Sequence, residues 1–396
     1  MNLFFNKILS GVPTFTSTQP IRQESSYSTA LLGPDKDTFQ KVSTPESLSF
    51  TGSKSSRTKA GDPLKELDNI TCPYSGVKMI SGSKMDKLEK KLEDCESISE
   101  RMEILERYRP CMQKLEKKMY EIFKGYEINN PDGSLNDCLQ QLKPDCLAAL
   151  KVEEFQVLDK VDKISDKLDP KTALEVRKVT TDARKTILED KEDKIFKRKD
   201  LLVNLLNVTK DSKDSETIEE MWNTAQLLPR STTNINAFVV KYANRCPHEI
   251  AARLLRPSVA SIEHITPKST FKNKKNQEDH TLANFMLVAK DWNSDRSSTP
   301  LPEYIKEHPN IPKFSQMYIN DIIKAIHKEK FVGYDWYPYV MKEKLYNESN
   351  GLIDINLDKY KKSEEEAFED APKDIKEKYN KLVEQNKKKN TVTTGA

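Results

Sequence analysis

"SIEHITPKS", residues 261–269, sets a carboxylate directly against one of only five histidines, between two isoleucines and just ahead of a proline. The stretch is short, β-branched and apolar enough to predict a strand, and neighbouring strand residues point to opposite faces. Glu263 and His264 can therefore serve one site only near the strand's end. Pro267 supplies that end, because it cannot donate to a sheet ladder. A carboxylate beside an imidazole can hold a hard cation, while a histidine, with an ordinary pKa of about 6.5, accepts a proton at neutral pH. Alone, a Glu-His pair reads more simply as an exposed ion pair, so its surroundings decide.

Twenty residues after His264, Asn284 opens a second apolar, strand-like run, "NFMLV". Nine residues further, Asn293 falls in "KDWNSDR", which has the composition of a helix, and Arg296 lies one turn beyond it on the same face. The pieces predict a hairpin followed by a helix, an order that lets Glu263, His264, Asn293 and Arg296 converge.

In this order of motifs, "EHITPKS", then "NFMLV", then "WNSDRSSTP", residues 261–302 resemble the HNH endonuclease family, whose fold is the ββα-metal finger. The likeness is greatest to the HNH domains of RNA-guided CRISPR nucleases and their relatives, where Asn, a basic residue and then "TP" recur. Those domains carry a C-x-Y-S/T-G-K knuckle just upstream, and "CPYSGVKM", Cys72 to Met79, looks like it, although nearly two hundred residues separate it from Glu263. No second nuclease motif and no arginine-rich bridge helix accompany the likeness.

The resemblance implies an endonuclease that hydrolyses phosphodiester bonds in DNA by nick or double-strand cut, with RNA left open as a substrate. It makes His264 the general base and Asn284 the residue that orients the histidine and braces the loop. Glu263, where the family usually has Asp, and Asn293 become the ligands of one divalent cation. Oxygen ligands suit Mg²⁺ or Mn²⁺ over zinc. Arg296 would contact phosphate, and Lys268, Lys272, Lys274 and Lys275 of "KSTFKNKKN" would hold the nucleic-acid backbone, a solvated loop being the plainer reading of those lysines. His280 reads as a surface residue of that loop, and Asp291 and Asp295 as solvent-facing helix carboxylates.

Around this core, residues 1–60 are rich in Ser, Thr, Pro and Gly, without a sustained period, and read as a disordered tail. Residues 61–82 form the knuckle or hairpin, expected to pair with the HNH core. From 83 to 228 the pattern is helical: Met85, Leu88, Leu92, Cys95, Ile98, Met102 and Leu105 recur at three- and four-residue steps. Further helical segments follow, separated by Pro110, "NNPDGS", Pro144 and Pro170. This region reads as antiparallel helices inserted in, or placed before, the core, and as a surface for a protein partner. Residues 229–345 hold the nuclease core with flanking helices, and 346–396 a charged C-terminal helix and tail. The fold class is thus mainly α with a small α+β ββα-metal core.

Bulk properties narrow the rest. With 65 basic and 62 acidic residues the net charge is +3, so any nucleic-acid surface must be local. Six cysteines without a CxxC pair fit a reducing compartment, and no structural zinc is expected on their spacing. No window has the apolar length of a membrane span, and "MNLFFNKILSG" lacks the basic segment of a signal peptide, so the expected location is cytoplasmic. The competing reading is a non-catalytic protein, binding nucleic acid or scaffolding a partner, that keeps an HNH-like finger.

Overall fold

The computed structural model describes residues 62–190, 195–267 and 281–393. The expected N-terminal tail, His280 and the four lysines Lys268, Lys272, Lys274 and Lys275 lie outside the described residues. The fold is mainly helical, with one two-stranded antiparallel sheet among the described residues. In chain order the helices are α1 (Asp62–Lys65), α2 (Gly82–Asp94), α3 (Ile98–Arg107), α4 (Lys114–Asn129), α5 (Leu135–Ser165), α6 (Pro170–Glu189), α7 (Arg198–Thr209), α8 (Ser215–Ala225), α9 (Ile235–Tyr242) and α10 (Pro247–Arg253). Then come β1 (Ala260–His264), β2 (Phe285–Ala289), α11 (Lys290–Arg296), α12 (Leu301–Glu307), α13 (Ile311–His327), α14 (Tyr337–Glu348), α15 (Glu364–Phe368) and α16 (Lys373–Thr393). None of these helices is long and apolar enough to cross a membrane.

Two departures from the periodic pattern have local causes. The run from Met85 to Leu105 is two helices, because Ser97 caps α3: its side chain accepts from Glu100 N–H while the Glu100 carboxylate accepts from the Ser97 N–H. Pro144, expected to divide helices, instead sits inside the 31-residue α5. An interior proline costs about 3 kcal/mol. Leu139, Leu142, Cys146 and Leu150 are all buried around it. Burial of each large apolar side chain returns roughly 1.5–3 kcal/mol, so packing outweighs the break.

The helical excursion starts and ends at one place. Ile80 N–H donates to Ser258 O at 3.0 Å and Ala260 N–H donates to Ile80 O at 2.8 Å, a parallel bridge at the foot of β1. Residues 81–258 therefore leave and rejoin the sheet region at adjacent points. Within the excursion α5, α6, α7 and α8 share their own apolar core, built on Leu158, Val161, Val176, Leu201 and Leu205. The second core surrounds the sheet and runs from Leu64 of α1 through both strands and past residue 345 to Tyr379 of α16. The α9 helix packs on α5, where Asn136 and Gln140 donate to Ala243 O, so residues just after 229 lie against the helices.

Candidate functional site

β1 and β2 pair from Ala260–Ala289 to His264–Phe285, and α11 follows β2 without a break. The bond from Ile265 N–H to Asn284 O, 3.0 Å, fixes the phase of the ladder. Backbone groups alternate along an antiparallel pair, so Ser261 and Glu263 turn their peptide groups to β2, whereas Ile262 and His264 turn theirs to the other edge. That edge has neighbours along its length. Ile80 occupies its foot, Asn293 Nδ2 donates to Ile262 O at 3.0 Å, and Arg296 Nη1 donates to His264 O at 3.3 Å. Two side chains one helical turn apart thus satisfy two carbonyls two strand residues apart, which locks α11 to the hairpin.

Along β1 Glu263 alone is buried, while Ala260, Ser261, Ile262 and His264 are half-buried. The His264 ring meets the edge of Phe285 with centroids 4.7 Å apart. Glu263, by contrast, faces Arg296, and its Oε1 lies 2.5 Å from Nη1. Arg296 is fully buried; its guanidinium also donates to Tyr74 Oη at 2.9 Å, Ile265 O at 2.9 Å and Thr299 O at 3.2 Å. The expected phosphate contact by Arg296 is therefore corrected: no part of the side chain reaches solvent. The expected ligand role of Glu263 changes as well, because its carboxylate compensates a buried cation. Removing two charges from water costs several kcal/mol each, and only mutual contact with hydrogen bonds to every remaining group offsets that.

Asn284 is buried, and both ends of its amide bind one residue: Oδ1 accepts from Thr266 N–H at 2.9 Å and Nδ2 donates to Thr266 O at 3.3 Å. It braces the turn that leads from β1 to Pro267. Asn293 has a different balance. Its Nδ2 donates to Ser261 Oγ and Ile262 O, both at 3.0 Å, which fixes the amide orientation, since a carbonyl can only accept. Its Oδ1 takes no hydrogen bond from a described residue, so among these residues it is an oriented oxygen without a donor. Asp295 accepts from Tyr304 Oη at 3.0 Å, and His308 stands 3.9 Å from it.

The knuckle joins this assembly from the far end of the chain. Thr71 and Lys78 form an antiparallel bridge closed by Gly76, whose φ of +72° only glycine adopts freely and whose missing Cβ leaves room for the Phe314 ring. The Cys72 sulfur accepts from Ala289 N–H at 3.4 Å, and burial pushes the thiol's pKa up, so Cys72 packs as a neutral group. Tyr74 lies against Arg296, and Asp321 of α13 accepts from Thr71 N–H, Thr71 Oγ1 and Lys78 Nζ. Burial opposes charge on Asp321, yet the Lys78 and Thr71 hydrogen bonds hold its pKa below the usual carboxylate range.

Among the described residues no three His, Cys, Asp or Glu side chains cluster as a metal site. For a hard cation the fit rests on Asn293 Oδ1, while the Glu263 carboxylate already has Oε1 committed to Arg296. Sequence reasoning did not foresee Tyr74 or Ser261 as members of the site. The signal for Tyr74 was its place inside the knuckle motif; nothing local marked Ser261. No family model matches the chain, and neither a curated protein nor a solved structure is significantly similar to it.

Proposed function

We propose that this chain is a metal-dependent endonuclease of the HNH type that hydrolyses phosphodiester bonds in DNA. The observation that carries the reading is the junction of hairpin and helix: Asn293, anchored through Nδ2 to Ile262 O, presents an unengaged Oδ1 beside the strand that ends in His264. His264 acts as general base on the attacking water, and Phe285 limits the ring's freedom. Asn293 Oδ1 would hold a divalent cation, Mg²⁺ or Mn²⁺, which would supply positive charge against the negative charge that develops at the scissile phosphate. Asn284 keeps the chain after His264 in place through Thr266. Glu263 is a positioning residue: paired to Arg296, it fixes β1 against α11.

The test is supercoiled plasmid with Mg²⁺ or Mn²⁺, with a single-stranded RNA in parallel. Expected is cation-dependent nicking or linearisation that falls about 10²–10⁴-fold in His264→Ala. Activity that survives this change unaltered removes the assignment. A second reading, a finger that binds nucleic acid without cutting it, draws on the Glu263–Arg296 pair, which withholds the carboxylate from a cation. DNA binding without cleavage under any divalent cation decides for it.

A further inference from the structure

An open groove of about 650 Å³ lies where the knuckle meets α2, the end of α3 and α13. Its two carboxylates are already engaged: Asp321 by Lys78 and Lys324, Asp68 by Lys84. Arg107 on its rim pairs with Glu103 of its own helix. Lys91 from α2 and Lys328 and Lys330 after α13 line the same groove, are exposed, and have no carboxylate within ion-pair distance among the described residues. Like charges gathered around one concavity raise its potential, and a bound anion relieves their repulsion.

The nature of these groups selects the anion. A small anion is held by converging, desolvated donors. Here the unpaired cations are exposed, come from separate elements and can each meet a different phosphate. An amphipathic peptide needs a row of apolar anchors, but Met79, Ile80 and Leu88 in the groove are buried to 5% exposure or less, which leaves half-buried Ile104 and exposed Pro110 against a lining that is mostly charged or polar. The half-buried Tyr108 ring, with Lys84 Nζ 5.2 Å from its centroid, adds an aromatic surface.

We infer that this groove is a nucleic-acid-binding surface that takes the phosphate backbone through Lys91, Lys328 and Lys330. It deepens the nuclease reading by naming where substrate is held. Ile80, in its wall, bridges to the foot of β1, and the strand carries the chain about 13 Å from there to His264 at roughly 3.3 Å per residue.

The experiment measures binding of the full chain to a fluorescein-labelled DNA duplex by anisotropy, in EDTA and across a salt series. The combined variant Lys91→Gln, Lys328→Gln and Lys330→Gln is expected to bind roughly tenfold or more weakly at 0.1 M salt. The slope of log affinity against log salt should shrink by about 0.9 per lysine that contacts phosphate. A variant with the same charge loss on α6, Lys171→Gln, Lys178→Gln and Lys185→Gln, should bind as the unaltered chain does. Thermal melting confirms that each variant is folded. Unchanged affinity and slope in the groove variant, or a loss no larger than in the α6 variant, overturns the inference. So does a groove that binds polyglutamate through these lysines but not DNA. Binding is read without a cation, so a plasmid assay with Mg²⁺ or Mn²⁺ that shows no cleavage while this binding is intact counts against the nuclease reading alone.

Discussion

Where α5, α6, α7 and α8 meet, Leu158, Val161, Val176, Leu201 and Leu205 fill the interior, and Arg177 and Asp166 pair outside in solvent. Around the sheet the inside also holds Arg296, Glu263, Asn284 and Asp321, each hydrogen-bonded, together with Tyr318 and Tyr337, whose hydroxyls lie 2.9 Å apart. Tyr337 continues the chain of bonds to Phe285 O at 2.7 Å. The helical region can therefore tolerate changes in its charges, whereas the sheet region depends on its polar groups staying matched. A half-satisfied buried network is worse than an apolar one.

The largest effect expected from this contrast is that of Arg296→Ala. It leaves Glu263 as an uncompensated buried charge and strips Tyr74, His264 and Ile265 of a donor, so urea denaturation should show a loss of about 3–5 kcal/mol. A change below about 1 kcal/mol would break the contrast. Leu158→Ala, at a fully buried position of the helical core, should cost about 2–5 kcal/mol through a cavity and leave DNA binding in the groove intact.

The helical excursion has buried charges of its own, Glu116 paired with Arg253 at 2.9 Å and, on α5, Glu154, which sharpens the comparison. It is buried on α5 with one recorded donor, Phe196 N–H at 3.2 Å, and burial pushes its carboxyl up to about 7 from 4.5. The folded state therefore binds this proton more tightly than the unfolded chain. Stability from this group is fully present below about pH 4.5, falls as pH rises, and stops falling above about pH 7. Glu154→Gln keeps an acceptor for Phe196 and removes the titration. Melting should show the variant equal to the parent near pH 4.5 and more stable at pH 8, by up to roughly 3 kcal/mol at 1.36 kcal/mol per pKa unit. The smallest effect belongs to Arg177→Ala, which breaks an exposed pair with Asp166 and should change stability by less than about 0.5 kcal/mol.

The same contrast explains what the sequence revealed. Helices were legible because a 3.6-residue period is local: "KTALEVRKVTTDARKTIL", residues 171–188, falls within one residue of α6 at each end, and "QKLEKKMYEIFKGY", residues 113–126, starts one residue before α4 and stops three short of its end. The break at Ser97 was hidden because Cys95, Ile98 and Met102 keep helical spacing across it, although "SISE" carried the cap. The strand, second strand and helix were legible from the order of "SIEHI", "NFMLV" and "KDWNSDR". The inward turn of Arg296 was not, because the tyrosine that receives it lies 222 residues away in sequence. Asp321 and Thr71, 250 residues apart, escaped for the same reason. A basic residue on a short helix looks like surface until its distant partners are placed.

The account turns on a division of labour between two neighbouring side chains, Glu263 as the partner of Arg296 and Asn293 as the oxygen offered to a cation. Plasmid cleavage titrated with Mn²⁺, with thermal melting of the same samples, measures it directly in Glu263→Gln and Asn293→Ala. Asn293→Ala is expected to shift cleavage to higher Mn²⁺ with little change in melting, while Glu263→Gln lowers the melting temperature by several degrees. The reverse pattern, a Mn²⁺ shift in Glu263→Gln with unchanged melting and an unaffected Asn293→Ala, would contradict it.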